Sequence, residues 1–99
     1  MTLGQKIREL REQAGLKQRE LAYLLEIGEG FLSKVENDQK PLKRKDLTKL
    51  NELFKITIEE LESLWLANKL YSIVRDEESA LTALKVAEEQ IKYKNLKNA

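Results

Sequence analysis

Lys40, Lys43, Arg44 and Lys45 place four basic groups within six positions, a local density of cations suited to a phosphate polyanion. Taken alone, such a run is more often the solvated start of a helix. Its placement gives it weight, because Glu29, Gly30, Ser33, Lys34 and Asn37 recur just upstream at positions that share one outward side of a helix, with Gly28 at its tip. A helix with one exposed polar face fits the major groove of B-DNA, about 12 Å wide. Gly28 and Gly30 leave the tip of that helix without bulk, so its backbone can come close to bases or phosphates. Other chemistry is poorly provided for. The absence of His and Cys removes the usual general base, thiol nucleophiles, thiolate metal sites and disulfides. The pairs Glu59-Glu60, Glu77-Glu78 and Glu88-Glu89 have the residue type of acid/base dyads but no candidate nucleophile or metal partner. The first two pairs also sit in opening helical turns, where carboxylates favour the helix dipole. No enzymatic activity, metal or cofactor is expected, and no small-molecule ligand is evident.

The elements that must position these residues are helical. Eighteen Leu and fourteen Glu against one Pro and four Gly predict an all-α protein of five to six helices. With 99 residues, 41% of them apolar, the chain is long enough for one core and too short for two full domains. Thr2 and Gln5 have the spacing of a capping box, and Leu3, Ile7, Leu10 and Ala14 then recur until Gly15 ends the first helix. A second helix is expected over about 18–25 and a third over about 28–37. The segment Asn37 to Lys43 holds the only proline and reads as an ordered loop. A fourth helix follows over about 44–54, with Leu47, Leu50, Leu53 and Phe54 as its stripe. Thr57 is placed to cap a fifth helix starting near Glu59, and a sixth is expected over about 77–92.

Charge is divided unevenly along this plan. Residues 1–58 carry 12 basic and 9 acidic side chains, and residues 59–99 carry 6 and 8, so the overall +1 conceals a basic front and an acidic back. Two helices joined by a short turn must cross at a wide angle. Ala22 supplies the small residue at their close approach, and Leu21, Leu25, Ile27, Leu32 and Val35 supply the apolar inner faces.

The stretch from Leu16 to Leu61 resembles the helix-turn-helix domain of the phage Cro/cI repressor and XRE-like family of bacterial regulators. The matching positions are Gln18, Leu21, Ala22 and Leu25, the run Leu32-Ser33-Lys34-Val35-Glu36-Asn37, and the comb Leu47, Leu50, Leu53 and Ile56. The resemblance implies a λ-repressor-like fold and a DNA-binding role in transcription. It implies that Gln18, with Arg19 beside it, contacts a phosphate, and that Glu29, Gly30, Ser33 and Lys34 face the bases. There Lys34 would bond guanine O6/N7 and Glu29 would accept from cytosine N4. Asn37, Lys40, Lys43, Arg44 and Lys45 would lie along the backbone, and Gly28 at the helix tip. Phe31, at an often aromatic position, is expected to pack against the domain and a sugar edge. This chain departs from the family pattern at Glu26, which stands where the turn usually has Gly. It departs also at Gly28, in place of a Ser or Thr cap, and at Asp38, in place of a glycine, which leaves Asn37 as the residue expected at positive φ. Glu26 and Glu29 are expected to reduce nonspecific attraction to DNA.

A helix-turn-helix domain of this kind is complete near Leu64, so 1–62 is read as the DNA-binding domain, 63–94 as a helical dimerisation extension and 95–99 as a flexible tail. Trp65, Leu66, Leu70, Tyr71 and Val74, followed by Leu81, Leu84, Ala87 and Ile91 at three- and four-residue spacing, suit a seam between two copies. The alternative is that the sixth helix folds back on its own core. Trp65 to Tyr93 also resembles the small regulators that accompany DNA methyltransferases in restriction-modification systems. Two other readings remain open: an antitoxin whose C-terminal helices bind a toxin, and a protein-binding adaptor. No apolar run is long enough to span a membrane and no leader pattern opens the chain, so a cytoplasmic protein without a membrane partner is expected.

Overall fold

The computed structural model describes residues 1–98. Among them are six helices and no strand: α1 (Leu3–Gln13), α2 (Gln18–Leu25), α3 (Glu29–Glu36), α4 (Arg44–Phe54), α5 (Ile58–Val74) and α6 (Ala80–Lys97). The chain divides into two compact units, Met1–Lys69 and Leu70–Ala99.

In the first unit α3 packs against α1 and α2, and α2 packs against α4. The core is Leu3 and Ile7 of α1, Leu21, Ala22 and Leu25 of α2, Leu32 and Val35 of α3, Leu47 and Leu50 of α4, and Leu61 and Trp65 of α5, with Leu42 and Ile56 from the loops. Leu47, Leu50 and the half-buried Phe54 keep the spacing of a single face, and Leu53, expected with them, falls beside it and is exposed.

The helix ends follow from local chemistry. Thr2 accepts the Gln5 N–H at 3.1 Å while Gln5 accepts the Thr2 N–H at 2.9 Å, as the capping-box spacing predicts. Thr57 likewise accepts the Glu60 N–H at 3.2 Å at the start of α5. The first three helices all end with a left-handed residue, Gly15 (φ 71), Glu26 (φ 59) and Asp38 (φ 60), flanked by paired 5→2 and 6→1 backbone bonds. The residue expected at positive φ after α3 was Asn37; the structure puts it one place later. The Asn37 N–H still completes the helix by donating to Ser33 O at 3.1 Å, and the reversal begins with Asp38, donating to Val35 O at 3.0 Å. Asp38 repays its left-handed backbone through its side chain, which accepts from the Thr2 hydroxyl at 2.6 Å and the Gly4 N–H at 3.1 Å. Gly4 is required at this junction, because a Cβ there would sit 2.7 Å from Glu36 O and closer still to Val35 O.

In the second unit, α6 starts later and ends later than expected. Residues 75–79 form turns, and the helix then runs through 93–97, where Lys94 and Lys97 complement its C-terminal dipole. The tail expected to fray is therefore helical as far as Lys97, and Ala99 lies outside the described residues. A Glu88–Lys92 pair at 2.8 Å supports the exposed surface of this helix.

Candidate nucleic-acid interface

Short α3 is fixed from one side only. Leu32 and Val35 enter the core, and Glu36 is 2% exposed. Its carboxylate accepts from Arg11 Nε at 2.7 Å and Nη2 at 3.0 Å, from Gln18 Nε2 at 3.1 Å and from Arg8 Nε at 3.4 Å. Arg11 also reaches Leu16 O at 3.0 Å, and Arg8 reaches Asn37 Oδ1 at 3.1 Å. Burial pushes the Glu36 carboxyl up, but the bonds from Arg11, Gln18 and Arg8 outweigh it and hold the group below the ordinary carboxylate range. One buried anion thus ties α1 and the start of α2 to the last turn of α3. Sequence reasoning missed this role, although Arg8 and Arg11 at three-residue spacing, with the unmatched Glu36 next to Val35, were the available signal.

The opposite side of α3 is free. Gly28, Glu29, Gly30, Lys34 and Asn37 are exposed and Ser33 is half-buried, which is the face expected from the sequence. No side chain caps the α3 N-terminus at Gly28, and a Cβ at Gly28 or Gly30 would meet nothing within 4 Å. Neither glycine is therefore demanded by packing. Phe31 is half-buried against the core.

The other expected contact residues are placed differently from one another. Gln18, expected to touch a phosphate, uses its amide on Glu36, whereas Arg19 is exposed. Lys40, Lys43 and Lys45 are exposed. Lys43 and Lys45 line a cleft of about 380 Å³ together with Gly28 and Phe31, so the basic cluster and the tip of α3 come together. Arg44 is exposed but engaged: its guanidinium pairs with Glu62 and lies 5.2 Å from the centre of the Trp65 ring.

Trp65 itself was expected between copies. The structure puts it in the core of the first unit, 8% exposed, with its indole N–H donating to Leu42 O at 2.8 Å and Lys69 Nζ 4.0 Å from the ring centre. An indole that fills its own domain and anchors the loop after α3 has little surface left for a partner. Leu66, Leu70, Tyr71, Leu81 and Ile91 are exposed, and Val74, Leu84 and Ala87 are half-buried. Among the described residues no helix is long and apolar enough to cross a membrane, and no acidic, His or Cys cluster could hold a metal.

Residues 2–64 match a protein-family model described as a helix-turn-helix domain. Over 52 residues the chain is 36% identical to the HTH-type transcriptional regulator RamB of Mycobacterium tuberculosis, covering 52% of this chain and 11% of that protein. It is 36% identical over 61 residues to the HTH-type transcriptional regulator ImmR of Bacillus subtilis, covering 62% of this chain and 48% of that one. The chain thus spans less than half the length of these curated relatives. A crystal structure of a hypothetical protein from E. coli is similar with a TM-score of 0.66 at 26% identity, covering 92% of this chain and 97% of that one.

Proposed function

The chain belongs to the helix-turn-helix domain family, and on that premise we propose that it regulates transcription, binding a pseudo-palindromic DNA operator as a homodimer. The observation that carries this reading is the asymmetry of α3, locked inward by Leu32, Val35 and Glu36 and bare outward along Gly28, Glu29, Gly30 and Lys34. Such a helix can enter a major groove without disturbing its own packing. Lys34 and Glu29 are the base-reading side chains, and Lys40, Lys43 and Lys45, with Arg19, meet phosphates and set register. Gln18 acts through Glu36, and Arg44 contributes field more than a free donor. The reading is of a binding protein, not an enzyme, in keeping with the names its relatives carry.

Two copies of α3 about 34 Å apart are what a palindromic site requires. Support for the second copy comes from the exposed apolar side chains Leu70, Tyr71, Ile73, Leu81, Ile91 and Leu96 in the second unit, more than a solitary surface helix needs. The resemblance of residues 65–93 to restriction-modification regulators favours genes of such a system as targets.

Gly30→Ala tests the reading helix. With no neighbour for the new methyl, the change should leave the fold intact and raise stability by about 0.5–1 kcal/mol. Operator affinity should nevertheless fall by about tenfold or more, the scale of one lost base contact. Unchanged affinity with raised stability would remove α3 from the interface. Sedimentation equilibrium at micromolar concentration tests the homodimer, which a monomer with and without DNA would refute. Selection of bound fragments from random DNA supplies the operator, and half-sites without two-fold symmetry would count against the paired arrangement.

A further inference from the structure

Glu26 closes the turn between α2 and α3 in a left-handed conformation, φ 59 and ψ 43, that glycine adopts without strain. Its side chain is not idle. Glu26 Oε2 accepts from Lys49 Nζ at 3.0 Å, and the same ammonium donates to Leu25 O, also at 3.0 Å, satisfying a terminal carbonyl of α2. Glu26 and Lys49 line the cleft together with Lys43, Lys45, the buried Asp46 and the tip of α3. Lys49, and more weakly Lys45, hold the Glu26 carboxyl below the ordinary carboxylate range, so it is charged at neutral pH.

We propose that Glu26 is a built-in stand-in for a DNA phosphate: it occupies Lys49 within the lysine-lined cleft and so lowers the sequence-independent affinity of the protein for duplex DNA. The inference rests on the DNA-binding reading; it gives the weakened nonspecific attraction expected of Glu26 a specific cause, and adds to that interface Lys49, which sequence reasoning did not place there. The chemistry is substitution of one monoanion for another. A phosphodiester and a glutamate carboxylate both accept charge-assisted bonds from an ammonium, and Lys49 cannot be fully neutralised by both. With Glu26 in place, the cleft presents Lys43 and Lys45 to DNA. Without its charge, it presents a third cation that stays positioned by Leu25 O. The effect acts on the backbone term of binding, so it applies to operator and random sequence alike.

The experiment measures binding of the full chain to an operator duplex and to a random duplex across a salt series, for the parent, Glu26→Gln, Lys49→Met and the double variant. Glu26→Gln should steepen the log–log salt slope on both duplexes by about 0.9 for each bound subunit, about 1.8 for the homodimer, one added phosphate neutralised by each copy and equivalent to roughly fivefold tighter binding per subunit at 0.15 M salt. In the Lys49→Met background the same substitution should lose most of that gain, which separates occupation of Lys49 from a general change in net charge. Glu26→Gly, which suits the left-handed turn, should reproduce the gain with a stability no lower than the parent's. A parent that binds DNA while Glu26→Gln leaves its slope unchanged overturns this proposal alone. A gain of equal size with and without Lys49 overturns it too. Failure of the parent to retain any duplex overturns the DNA-binding reading, and this inference with it.

Discussion

Glu36→Gln should be the most damaging conservative change in the first unit. The carboxylate accepts four bonds from three residues, two of them from Arg11, and is all but absent from the surface. A glutamine of the same shape offers one acceptor oxygen and turns an amide N–H₂ towards the guanidinium, so Arg11 keeps its half-buried charge and is left with only the exposed Glu12, 3.9 Å away, as a counter-ion. Removing one partner of such a buried pair costs about 3–5 kcal/mol, and the bond from Arg11 to Leu16 O, which survives, argues for the lower end, about 3 kcal/mol. For a domain of this size that corresponds to roughly 12–24 °C in Tm. The loss should depend on pH. The folded carboxyl lies below its unfolded value, about 4.3, so its stabilisation is complete above that value and disappears as pH falls through the folded one. Urea titrations followed by circular dichroism, from pH 7 downward, should show parent and variant far apart at neutral pH and converging in acid. Arg11→Met should be comparably costly, and the double variant should recover about 2 kcal/mol of the summed losses, because both charges leave together. A Glu36→Gln stability within about 0.5 kcal/mol of the parent's, or an unchanged acid limb, would refute the assignment of Glu36 as the anchor of α3.

Gly4→Ala should destabilise by about 1–3 kcal/mol, because the added methyl meets the backbone carbonyls of Val35 and Glu36, which have no side-chain freedom with which to yield; a thermal melt unchanged from the parent's would deny the close contact of α1 with α3. Lys40→Ala should weaken binding to all duplexes alike and lower the salt slope by about one for each bound subunit, whereas Lys34→Ala should cost about 1–3 kcal/mol per half-site, chiefly at one base position. Identical behaviour of these two variants on operator and random DNA would contradict the division between backbone and base contacts.

Much of the fold was legible because it is written locally. Thr2 with Gln5, Gly15 and Thr57 mark helix boundaries through contacts a few residues long, and the spacings of Leu21, Leu25, Leu32 and Val35 name the core by periodicity alone. The outward face of α3 followed from the same phase. What escaped were interactions between residues far apart in the chain. The Glu36 cluster joins positions 8, 11 and 18 to 36, and no local spacing pairs that carboxylate with its three partners. Trp65 belonged by period to either a core or a seam, and the choice depended on Leu42 O, an acceptor left in the loop after Pro41. Asp38 took the left-handed position expected of Asn37 because its carboxylate is bonded from across the fold by Thr2 and Gly4.

These long-range contacts divide the labour along α3. Its C-terminal half carries Val35 and Glu36, is followed by Asp38, and is bonded from α1 and α2. Its N-terminal half opens with Gly28 and no side-chain cap, and Gly30 brings no packing. A helix this short has about two turns, so firm anchorage of the last turn fixes the direction of the axis while the first turn stays unencumbered. Were glycine needed at 28 or 30 by the fold, a Cβ would collide there, as it does at Gly4; instead the space is open. The missing side chains at 28 and 30, on either side of Glu29, are then a property directed outward, towards whatever α3 meets. Beside that tip the chain sets Lys43 and Lys45 against Glu26, so its attraction for an anion is moderated by a charge of its own. Strong anchorage, an empty tip and a tempered cation cluster favour recognition by shape and base contacts over capture by charge.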